Sequence, residues 1–315
     1  MSSKLIVTIL VACILQVALT LKPLEKLLVP KPNPNFNDKA FDKANKYTVD
    51  FRPKGTRKQE ESAGNVAIKV NDQIVGGKEA SRGQVPWQAL LTISKQYTCG
   101  GSLIDPSWVM TAGHCCNGFS PSDYLVSLGL VNRTGAETSR VDVNVTAMFL
   151  HPEFDETFLT KDICLLKLDK KIDTSGVFIT TVRLPKIADA KKTLFGLSGI
   201  VSGWGKYEDD ASGDTSNDLK FLNRKVIDTK LCAKQYGNVT VNSALMCIGN
   251  GDKQGSCNGD SGGPFVGKEN DNKFTQVGLV SFGSAYSCVD YPSGFTRVSA
   301  YLGWVANVTG VQPRP

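Results

Sequence analysis

The amino-acid sequence predicts an all-β fold, and three observations support that prediction. From Ile74 onward, short runs rich in β-branched and aromatic residues recur between turn-forming residues, which is typical of a β-barrel or a β-sandwich. The roughly 240 residues from Ile74 to the end of the chain are enough for two β-barrels. Only the C-terminal segment has apolar residues at helical spacing, so we expect a single helix there.

The N-terminal part of the chain differs from the rest. Residues 5–19 form an apolar run after Lys4 that is short for a membrane span, so we interpret 1–20 as a cleaved secretory signal, with an uncleaved anchor as the alternative. Residues 21–73 are poor in large apolar groups and contain no cysteine, so a small folded domain is the less favoured alternative to an unstructured pro-segment. Residues 74–315 are predicted to fold.

Seven runs in this domain predict strands, because each combines branched or aromatic residues with flanking turn residues. They are WQALLTIS, YLVSLGLV, VDVNVTAMFL, ICLLKL, GIVSGWG, FTQVGLVSFG and GFTRVS, in chain order. The C-terminal segment has four apolar residues on one side of a helix and is predicted to be amphipathic. These residues are Val298, Tyr301, Leu302 and Val305.

The net charge of +6 is unevenly distributed along the chain. Lys4 contributes one positive charge, residues 21–73 contribute +4, and residues 74–315 contribute only +1. The part that is predicted to fold is therefore nearly neutral, and its charge gives little support for binding nucleic acid or an anionic membrane. We expect neither as a partner.

Cysteine usage indicates an oxidising compartment. Removing the predicted signal leaves an even set of eight cysteines, which in a secreted chain suggests four disulfides, although eight cysteines allow 105 pairings. The eight are Cys99, Cys115, Cys116, Cys164, Cys232, Cys247, Cys257 and Cys288.

One serine stands in a chemically informative context, the run GSCNGDSGGP at 255–264. The hydroxyl of Ser261 is a poor nucleophile at neutral pH and needs a neighbouring base. The candidate bases are His114, after an apolar run, and His151, in a loop-like stretch. Asp162 precedes the core-like run ICLLKL and is a candidate to orient an imidazole.

Each of these signals is modest alone, and an α/β-hydrolase also carries a G-x-S-x-G pattern. In that fold a helix follows the serine, and the order is serine, acid, histidine. Here GPFVGK follows the serine and predicts a strand. The chain order is also His114, Asp162, Ser261, which disagrees with that fold.

Five motifs in order across 74–315 resemble the chymotrypsin/trypsin family of serine endopeptidases. They are IVGG, TAGHC, DICLLKL, GWG and GDSGGP. Two further segments, SFG and YPSGFTRV, resemble arthropod chymotrypsins and brachyurins. The resemblance implies two six-stranded antiparallel β-barrels with the active site between them and a C-terminal α-helix. It also implies an endopeptidase that needs no cofactor, acts on proteins and peptides and meets protein protease inhibitors.

The resemblance implies a role for each candidate residue. Ser261 would attack the scissile carbonyl, His114 would accept its proton and deliver it to the leaving amine, and Asp162 would orient the imidazole. The backbone N–H groups of Gly259 and Ser261 would form the oxyanion hole. His151 matches no catalytic position of the family and is interpreted as structural.

The resemblance also implies activation by cleavage between Gln73 and Ile74. The new amino group of Ile74 would then pair with Asp260 and order the oxyanion loop and the specificity pocket. Most relatives have Arg or Lys where this chain has Gln73. We therefore expect a non-tryptic activating protease, or further trimming after a cut at Lys69.

The family pattern implies three disulfides, Cys99–Cys115, Cys232–Cys247 and Cys257–Cys288. Cys116 and Cys164 remain, and each follows a catalytic candidate by two residues. Because His114 and Asp162 must meet in space, we hypothesise a fourth bridge, Cys116–Cys164. The alternative is two free buried thiols.

The specificity pocket is expected to be neutral and roomy. Gly255 stands where trypsin-like members carry an aspartate, and Ser293 stands where some crustacean collagenolytic relatives carry an acid. Such a pocket favours apolar side chains at P1, the residue before the cleaved bond, so we expect cleavage after Phe, Tyr, Leu or Met, with Ser293 shifting preference toward Leu or Met. Broad or collagenolytic specificity is an alternative, and Asp290 is placed near the rim. The pocket wall is expected at Ser281, Phe282 and Gly283.

Two further features bear on ligands and modification. Leu130 and Arg140 stand where calcium-binding relatives carry glutamates, so we expect no metal there. Four N-x-T sequons are glycan acceptors in a secreted protein. The sequons begin at Asn132, Asn144, Asn238 and Asn307.

We predict a secreted, digestive, zymogen-activated enzyme. The alternatives are a regulatory or host-interaction protease and a non-catalytic binding homologue.

Overall fold

The computed structural model describes the chain from Ile74 to its C-terminus, apart from residues 208, 210–213, 239, 251–252 and 285. The predicted signal at 1–20 and the predicted pro-segment at 21–73, which ends at Gln73, lie outside the described residues. The described residues form two closed antiparallel β-barrels of six strands each. The predicted all-β, two-barrel architecture is therefore confirmed.

The first barrel is preceded by a two-residue strand, β1 (Lys78–Glu79), which pairs with the second barrel. The six strands of the first barrel are β2 (Gln88–Ile93), β3 (Tyr97–Asp105), β4 (Trp108–Thr111), β5 (Tyr124–Leu128), β6 (Val141–Leu150) and β7 (Cys164–Leu168). They close in the spatial order β2-β3-β4-β7-β6-β5. Closure pairs both edges of the sheet, which protects the backbone from pairing with other chains.

The second barrel repeats this architecture. Its strands are β8 (Ser198–Gly203), β9 (Lys220–Ile227), β10 (Leu245–Ile248), β11 (Pro264–Lys268), β12 (Phe274–Phe282) and β13 (Ser293–Arg297). Their order is β9-β10-β13-β12-β11-β8, and β8 also pairs with β9, which closes the barrel. β11 is the strand predicted to follow Ser261.

The seven predicted runs coincide with β2, β5, β6, β7, β8, β12 and β13. β3 is not among them, because its sequence contains Gly100 and Gly101, which weaken a strand signal. A tertiary contact favours glycine at position 100, because a Cβ there would lie 2.8 Å from the Cα atom of Gly263, in the second barrel.

The predicted C-terminal helix is confirmed, and the structure has two α-helices among its described residues. The C-terminal helix, α2 (Leu302–Thr309), was predicted; α1 (Thr229–Tyr236) was not. α1 begins after Asp228, whose carboxylate accepts a hydrogen bond from the Lys230 N–H (2.9 Å). It spans only two turns, too few for a helical period to show. Three short 3₁₀ segments complete the structure, at Pro121–Asp123, Ile187–Lys191 and Val298–Ala300.

The barrels and the C-terminal helix pack around shared apolar clusters. One cluster joins side chains of the first barrel, such as Met110, with side chains of the second, such as Val266, and with Leu302 and Val305 of α2. Burial of these side chains stabilises the two barrels against each other, at about 1.5–3 kcal/mol for each large side chain. Among the described residues, no helix has the length and apolar character needed to cross a membrane.

Four disulfides reinforce the fold, and they join the same pairs of cysteines that the sequence analysis names. They are Cys99–Cys115, Cys116–Cys164, Cys232–Cys247 and Cys257–Cys288. The first two flank the end of β4, and the other two lie in the second barrel.

Candidate active site

His114 and Asp162 meet because the strands that carry them are neighbours. His114 lies three residues after the end of β4, and Asp162 lies two residues before the start of β7. β4 and β7 pair antiparallel with Thr111 opposite Cys164, so the chain leaving one strand lies beside the chain entering the other. The Nδ1 atom of His114 is 2.9 Å from Oδ2 of Asp162, and its backbone N–H donates to Oδ1 at 2.8 Å.

The carboxylate of Asp162 is fully buried and has partners on both oxygens. Besides its two bonds to His114, it accepts a hydrogen bond at Oδ2 from the hydroxyl of Ser281, at 2.6 Å. The sequence analysis assigned Ser281 to the pocket wall, but its hydroxyl contacts Asp162. No local pattern indicates this contact, because the two residues are 119 positions apart.

The environment of His114 raises the pKa of its imidazole above the usual value. Burial by itself lowers this pKa, but the negative charge of Asp162 and its hydrogen bond to Nδ1 outweigh burial. The side chain retains 20% exposure, so solvent and a substrate can reach the ring. This arrangement stabilises the imidazolium form, which is what a base needs once it has accepted a proton.

Ser261 lies in the loop before β11, next to the chain that follows His114. Its carbonyl oxygen accepts the Gly100 N–H at 2.7 Å and lies 3.6 Å from Sγ of Cys115, the residue after His114. Gly259, two residues before Ser261, has a φ of +96°, which favours glycine. The loop therefore turns sharply directly before the candidate nucleophile.

Asp260, between these two residues, is fully buried beneath the loop. Its carboxylate accepts the N–H groups of Gly205 (2.8 Å) and Cys257 (2.9 Å). Burial raises the pKa of Asp260 to about 6, and the two backbone hydrogen bonds offset only part of that shift. A Cβ at Gly205 would come within 2.5 Å of this carboxylate, so the motif GWG provides the space that Asp260 occupies.

The base of the candidate pocket contains a residue that the sequence analysis missed, Asn250. Its side-chain nitrogen lies 2.6 Å from Oγ of Ser293, 3.0 Å from the carbonyl oxygen of Cys288 and 2.9 Å from that of Tyr291. A Cβ at Gly255 would overlap the Cys288 carbonyl and approach this amide. The two side chains described at this base, Asn250 and Ser293, are therefore uncharged but polar, and no side chain fits at 255 without movement.

The pocket base also contacts the segment expected to carry a new N-terminus. The Gly255 N–H donates to the carbonyl of Val75 at 3.1 Å, and the side chain of Ile74 is fully buried. A Cβ at Gly76 would overlap the side chain of Gln254. The residues that follow Gln73 therefore contact the segment that forms the base of the candidate pocket.

The remaining wall positions differ in what they contact. Phe282 is buried, and its ring lies 5.2 Å from that of Tyr236 and directly over Gly294. A Cβ at Gly283 would make only an ordinary contact with Oγ of Ser293, at 3.6 Å. Asp290, which was placed near the rim, is exposed.

The loop between Leu130 and Arg140, where no metal was expected, is held by a guanidinium group. Arg140 donates to the carbonyl of Arg133 at 2.9 Å and to Asp142 at 2.8 Å, while Leu130 is buried in the core. Glu137 accepts the backbone N–H groups of the residues that follow Leu130. Within the described part of the chain, no three His, Cys, Asp or Glu side chains are grouped to hold a metal ion.

The side chain of His151 packs against the C-terminal segment, while its backbone N–H donates to the carbonyl of Ile163, the residue after Asp162, at 3.2 Å. His151 is 9% exposed, and its ring packs against those of Trp304, at 5.0 Å, and Tyr301, at 5.5 Å. Its Nδ1 atom accepts the Glu153 N–H at 3.2 Å. These contacts tie the chain before β7 to the C-terminal helix.

Comparison with known proteins finds related chains along the two barrels. The family model described as Trypsin matches residues 74–305. Brachyurin from Leptuca pugilator is 37% identical over 243 residues, which is 76% of this chain and 100% of brachyurin. Chymotrypsin from Phaedon cochleariae is 36% identical over 236 residues, 74% of this chain and 81% of that protein. A solved structure described as HL collagenase matches with a TM-score of 0.67 at 32% identity, covering 76% of this chain and 99% of that one.

Proposed function

The chain belongs to the trypsin family of serine endopeptidases, and from this premise we propose that it cleaves peptide bonds through an acyl-enzyme at Ser261. His114 accepts the hydroxyl proton and returns it to the leaving amine, while Asp162 holds the imidazole and stabilises its charged form. The observation that carries the proposal is the 2.9 Å contact between Nδ1 of His114 and the buried carboxylate of Asp162. Because Nδ1 is engaged by Asp162, Nε2 is the ring nitrogen that would accept the proton of Ser261.

The proposed oxyanion hole consists of the backbone N–H groups of Gly259 and Ser261. It is supported by the positive φ of Gly259 and by the buried Asp260 beneath the loop. Donors held in place before the reaction stabilise the negative charge that develops on the carbonyl oxygen, at about 3–4 kcal/mol for each donor.

The proposed substrate preference is for an apolar or aromatic P1 residue, that is Phe, Tyr, Leu or Met. The support is an uncharged base formed by Gly255, Ser293 and Asn250, together with the space above Gly283. An arginine or lysine at P1 would leave its charge without a counterion in this base, which is costly. An apolar side chain would be favoured by burial, at about 1.5–3 kcal/mol.

Activation is proposed to follow cleavage between Gln73 and Ile74. The new amino group would pair with the Asp260 carboxylate, whose two hydrogen bonds in the structure come from backbone N–H groups. The buried side chain of Ile74 and the bond from Gly255 to Val75 support a direct link between this segment and the pocket. Gln73 implies an activating protease that does not require a basic residue.

Secretion and a digestive role are also proposed, on the predicted signal at 1–20 and on the four disulfides. Glycans are proposed on Asn144, Asn238 and Asn307, which are exposed, but not on Asn132. The Asn144 amide also donates to a carboxylate, that of Asp169 at 3.1 Å, but this bond is exposed at the surface. The Asn132 amide donates to Asp218 at 2.8 Å, and its carbonyl accepts three hydrogen bonds within its own loop. A glycan on this nitrogen would have to fit beside Asp218 within a loop held by these bonds, and peptide mass spectrometry that found Asn132 glycosylated would contradict this assignment.

The test is to label the processed protein with a serine-directed phosphonate and to compare peptides that differ only at P1. Labelling is expected in the wild-type chain and not in Ser261→Ala, with faster cleavage after Phe than after Arg. A chain that is correctly processed but neither labels nor cleaves would be a binding homologue. Faster cleavage after Arg would overturn the assignment of the pocket and leave the mechanism intact.

A further inference from the structure

Two buried hydrogen bonds between glutamine and serine side chains join the barrels. Ser102 on β3 donates to Oε1 of Gln276 on β12, and Ser202 on β8 donates to Oε1 of Gln88 on β2, each at 2.6 Å. All four residues are at most 3% exposed. The arrangement is reciprocal, because each barrel supplies the glutamine of one bond and the serine of the other.

Polar side chains at this interface carry a cost that apolar ones would avoid. A buried carboxamide or hydroxyl is unfavourable unless it is hydrogen-bonded, and an apolar cluster also joins the two barrels. Apolar contacts tolerate small sliding movements, whereas a hydrogen bond forms only within a few tenths of an ångström and a narrow angle. The two bonds therefore define one relative position of the barrels.

The Ser102–Gln276 bond lies next to the backbone that carries the nucleophile. Gly100, two residues before Ser102 on the same strand, donates its N–H to the Ser261 carbonyl at 2.7 Å. The Cα atom of Gly263 lies 2.8 Å from where a Cβ of Gly100 would be. A shift of β3 relative to β12 would therefore move Ser261 relative to the first barrel.

The same bond lies close to the strand that leads to His114. Ser102 is paired with Met110 on β4, and the hydroxyl of Thr111 donates to the Gly100 carbonyl at 2.8 Å. His114 follows Thr111 by three residues. The serine and the imidazole are thus both attached to backbone that contacts this one stretch of β3.

The second bond lies next to the support of the oxyanion loop. Ser202 precedes Gly203, and a Cβ at Gly203 would overlap the carboxylate of Asp260. Gln88 is paired directly with Ser102 across β2 and β3, so the two inter-barrel bonds are anchored side by side in the first barrel.

We propose that Ser102 and Gln276, with Gln88 and Ser202, are positioning residues that set the distance between His114 and Ser261. They touch no substrate and act through the backbone of β3 and of the loop that carries Ser261. This inference rests on the proposed peptidase function. It explains why polar groups occupy an interface where apolar ones would pack as well.

The test compares Ser102→Ala, Gln276→Leu and the double variant in the processed full-length domain. In Gln276→Leu the Ser102 hydroxyl keeps only its long contact with the carbonyl oxygen of Met110, at 3.5 Å. The double variant, which removes both partners of the inter-barrel bond, is therefore expected to be more stable than Gln276→Leu. Its kcat is expected to fall about 10- to 100-fold with KM changed less than about 3-fold, because small misplacement of reacting groups acts mainly on the chemical step.

The matched control is Thr275→Val, on the same strand and equally buried. Thr275 donates to Glu269, away from the reacting groups, so this variant should lose thermal stability and keep its kcat. An unchanged kcat in the Ser102→Ala/Gln276→Leu double variant would show that the bond is structural only and would overturn the proposal.

A second measurement does not depend on activity. The described chain has two histidines, so the imidazole NMR signals of His114 and His151 can be assigned by substitution. The double variant should shift the His114 signals and their titration, leave those of His151 in place, and differ from Thr275→Val. Unmoved His114 signals would overturn the proposal. A wild-type chain with neither cleavage nor labelling would instead contradict the proposed function, and the NMR comparison would still decide the positioning.

Discussion

The two barrels share one architecture but hold their parts of the candidate site in different ways. The first barrel places His114 and Asp162 at the ends of two paired strands, β4 and β7, and the Cys116–Cys164 disulfide joins the chain just beyond them. The second barrel places Ser261 in a loop that rests on a buried carboxylate, Asp260. The candidate base and orienting acid thus lie at the ends of paired strands, whereas the candidate nucleophile lies in a loop above a buried carboxylate.

Under the proposed activation, this difference would allow one fold to be both stable and able to change on cleavage. Strand pairing and a disulfide hold the first-barrel residues, and we expect them to do so before and after cleavage. A buried carboxylate without a cation is costly, and a new amino group at Ile74 would relieve that cost. In this proposal, activation acts on the second barrel and leaves the first unchanged.

The largest expected effect on activity comes from Asp162→Asn, which changes the part of the candidate site that the first barrel holds. The amide cannot stabilise the imidazolium and favours the wrong ring tautomer, so kcat should fall about 10⁴-fold while the fold is retained. The pH dependence should change as well. Because Asp162 raises the pKa of His114, wild-type activity is lost as the pH falls through that raised value, and the variant should lose activity only at lower pH.

Ser281→Ala is the matched comparison, since it removes one neutral donor to the same carboxylate. Its kcat should fall only about 5- to 10-fold, the value of one hydrogen bond. Steady-state kinetics across pH would measure both variants. Equal losses in the two would mean that the negative charge of Asp162 is not what matters.

The next largest effect on activity is expected from Asp260→Asn, which changes the carboxylate below the loop of the second barrel that carries Ser261. In the processed chain this change leaves the Ile74 amine buried without a counterion, at a cost of about 3–5 kcal/mol, so activity should fall at least about 100-fold. The His114 NMR signals, which report on the first barrel, should change little. Full activity in this variant would exclude the proposed ion pair.

The pH dependence of stability in the uncleaved chain is an independent test of the Asp260 carboxyl group. The pKa of Asp260 is raised to about 6 in the fold, above its ordinary value of 3.8, so the native state binds the extra proton between these values. Its contribution to stability is therefore complete below about pH 4 and is lost as the pH rises through about 6. Chemical denaturation of uncleaved Asp260→Asn should lack this loss, and an identical pH profile in both chains would contradict the assigned pKa.

The smallest effect on activity is expected from removing the Cys116–Cys164 bridge with the pair of changes Cys116→Ser and Cys164→Ser. The bridge closes a loop of 48 residues, which corresponds to about 4 kcal/mol of stability through the unfolded chain. Thermal unfolding should therefore occur at clearly lower temperature. Well below that temperature kcat should stay within about 3-fold, because the ladder between Thr111 and Cys164 still aligns the two strands. A large loss of kcat in a folded variant would show that the bridge itself positions His114.

Local sequence patterns were sufficient for the strands with strong β-residue content and for the C-terminal helix. They missed β3, in which Gly100 leaves room for the backbone of Gly263, and α1, which is too short to show a period. The strands β1, β4, β9 and β10 were also not among the predicted runs. Short motifs around His114, Asp162 and Ser261 were distinctive enough to nominate those residues, because the chemistry demands particular groups in particular local contexts.

The contacts between distant residues were decided by the tertiary structure alone. Ser281 reaches Asp162 across 119 positions, Asn250 reaches Ser293 across 43, and Ser102 reaches Gln276 across 174. A hydroxyl or an amide carries no sign in the sequence of which partner it will meet, since that depends on how two closed barrels dock. The sequence by itself determined the elements and the reactive groups, and the packing of the barrels determined which polar side chains hold those groups in place.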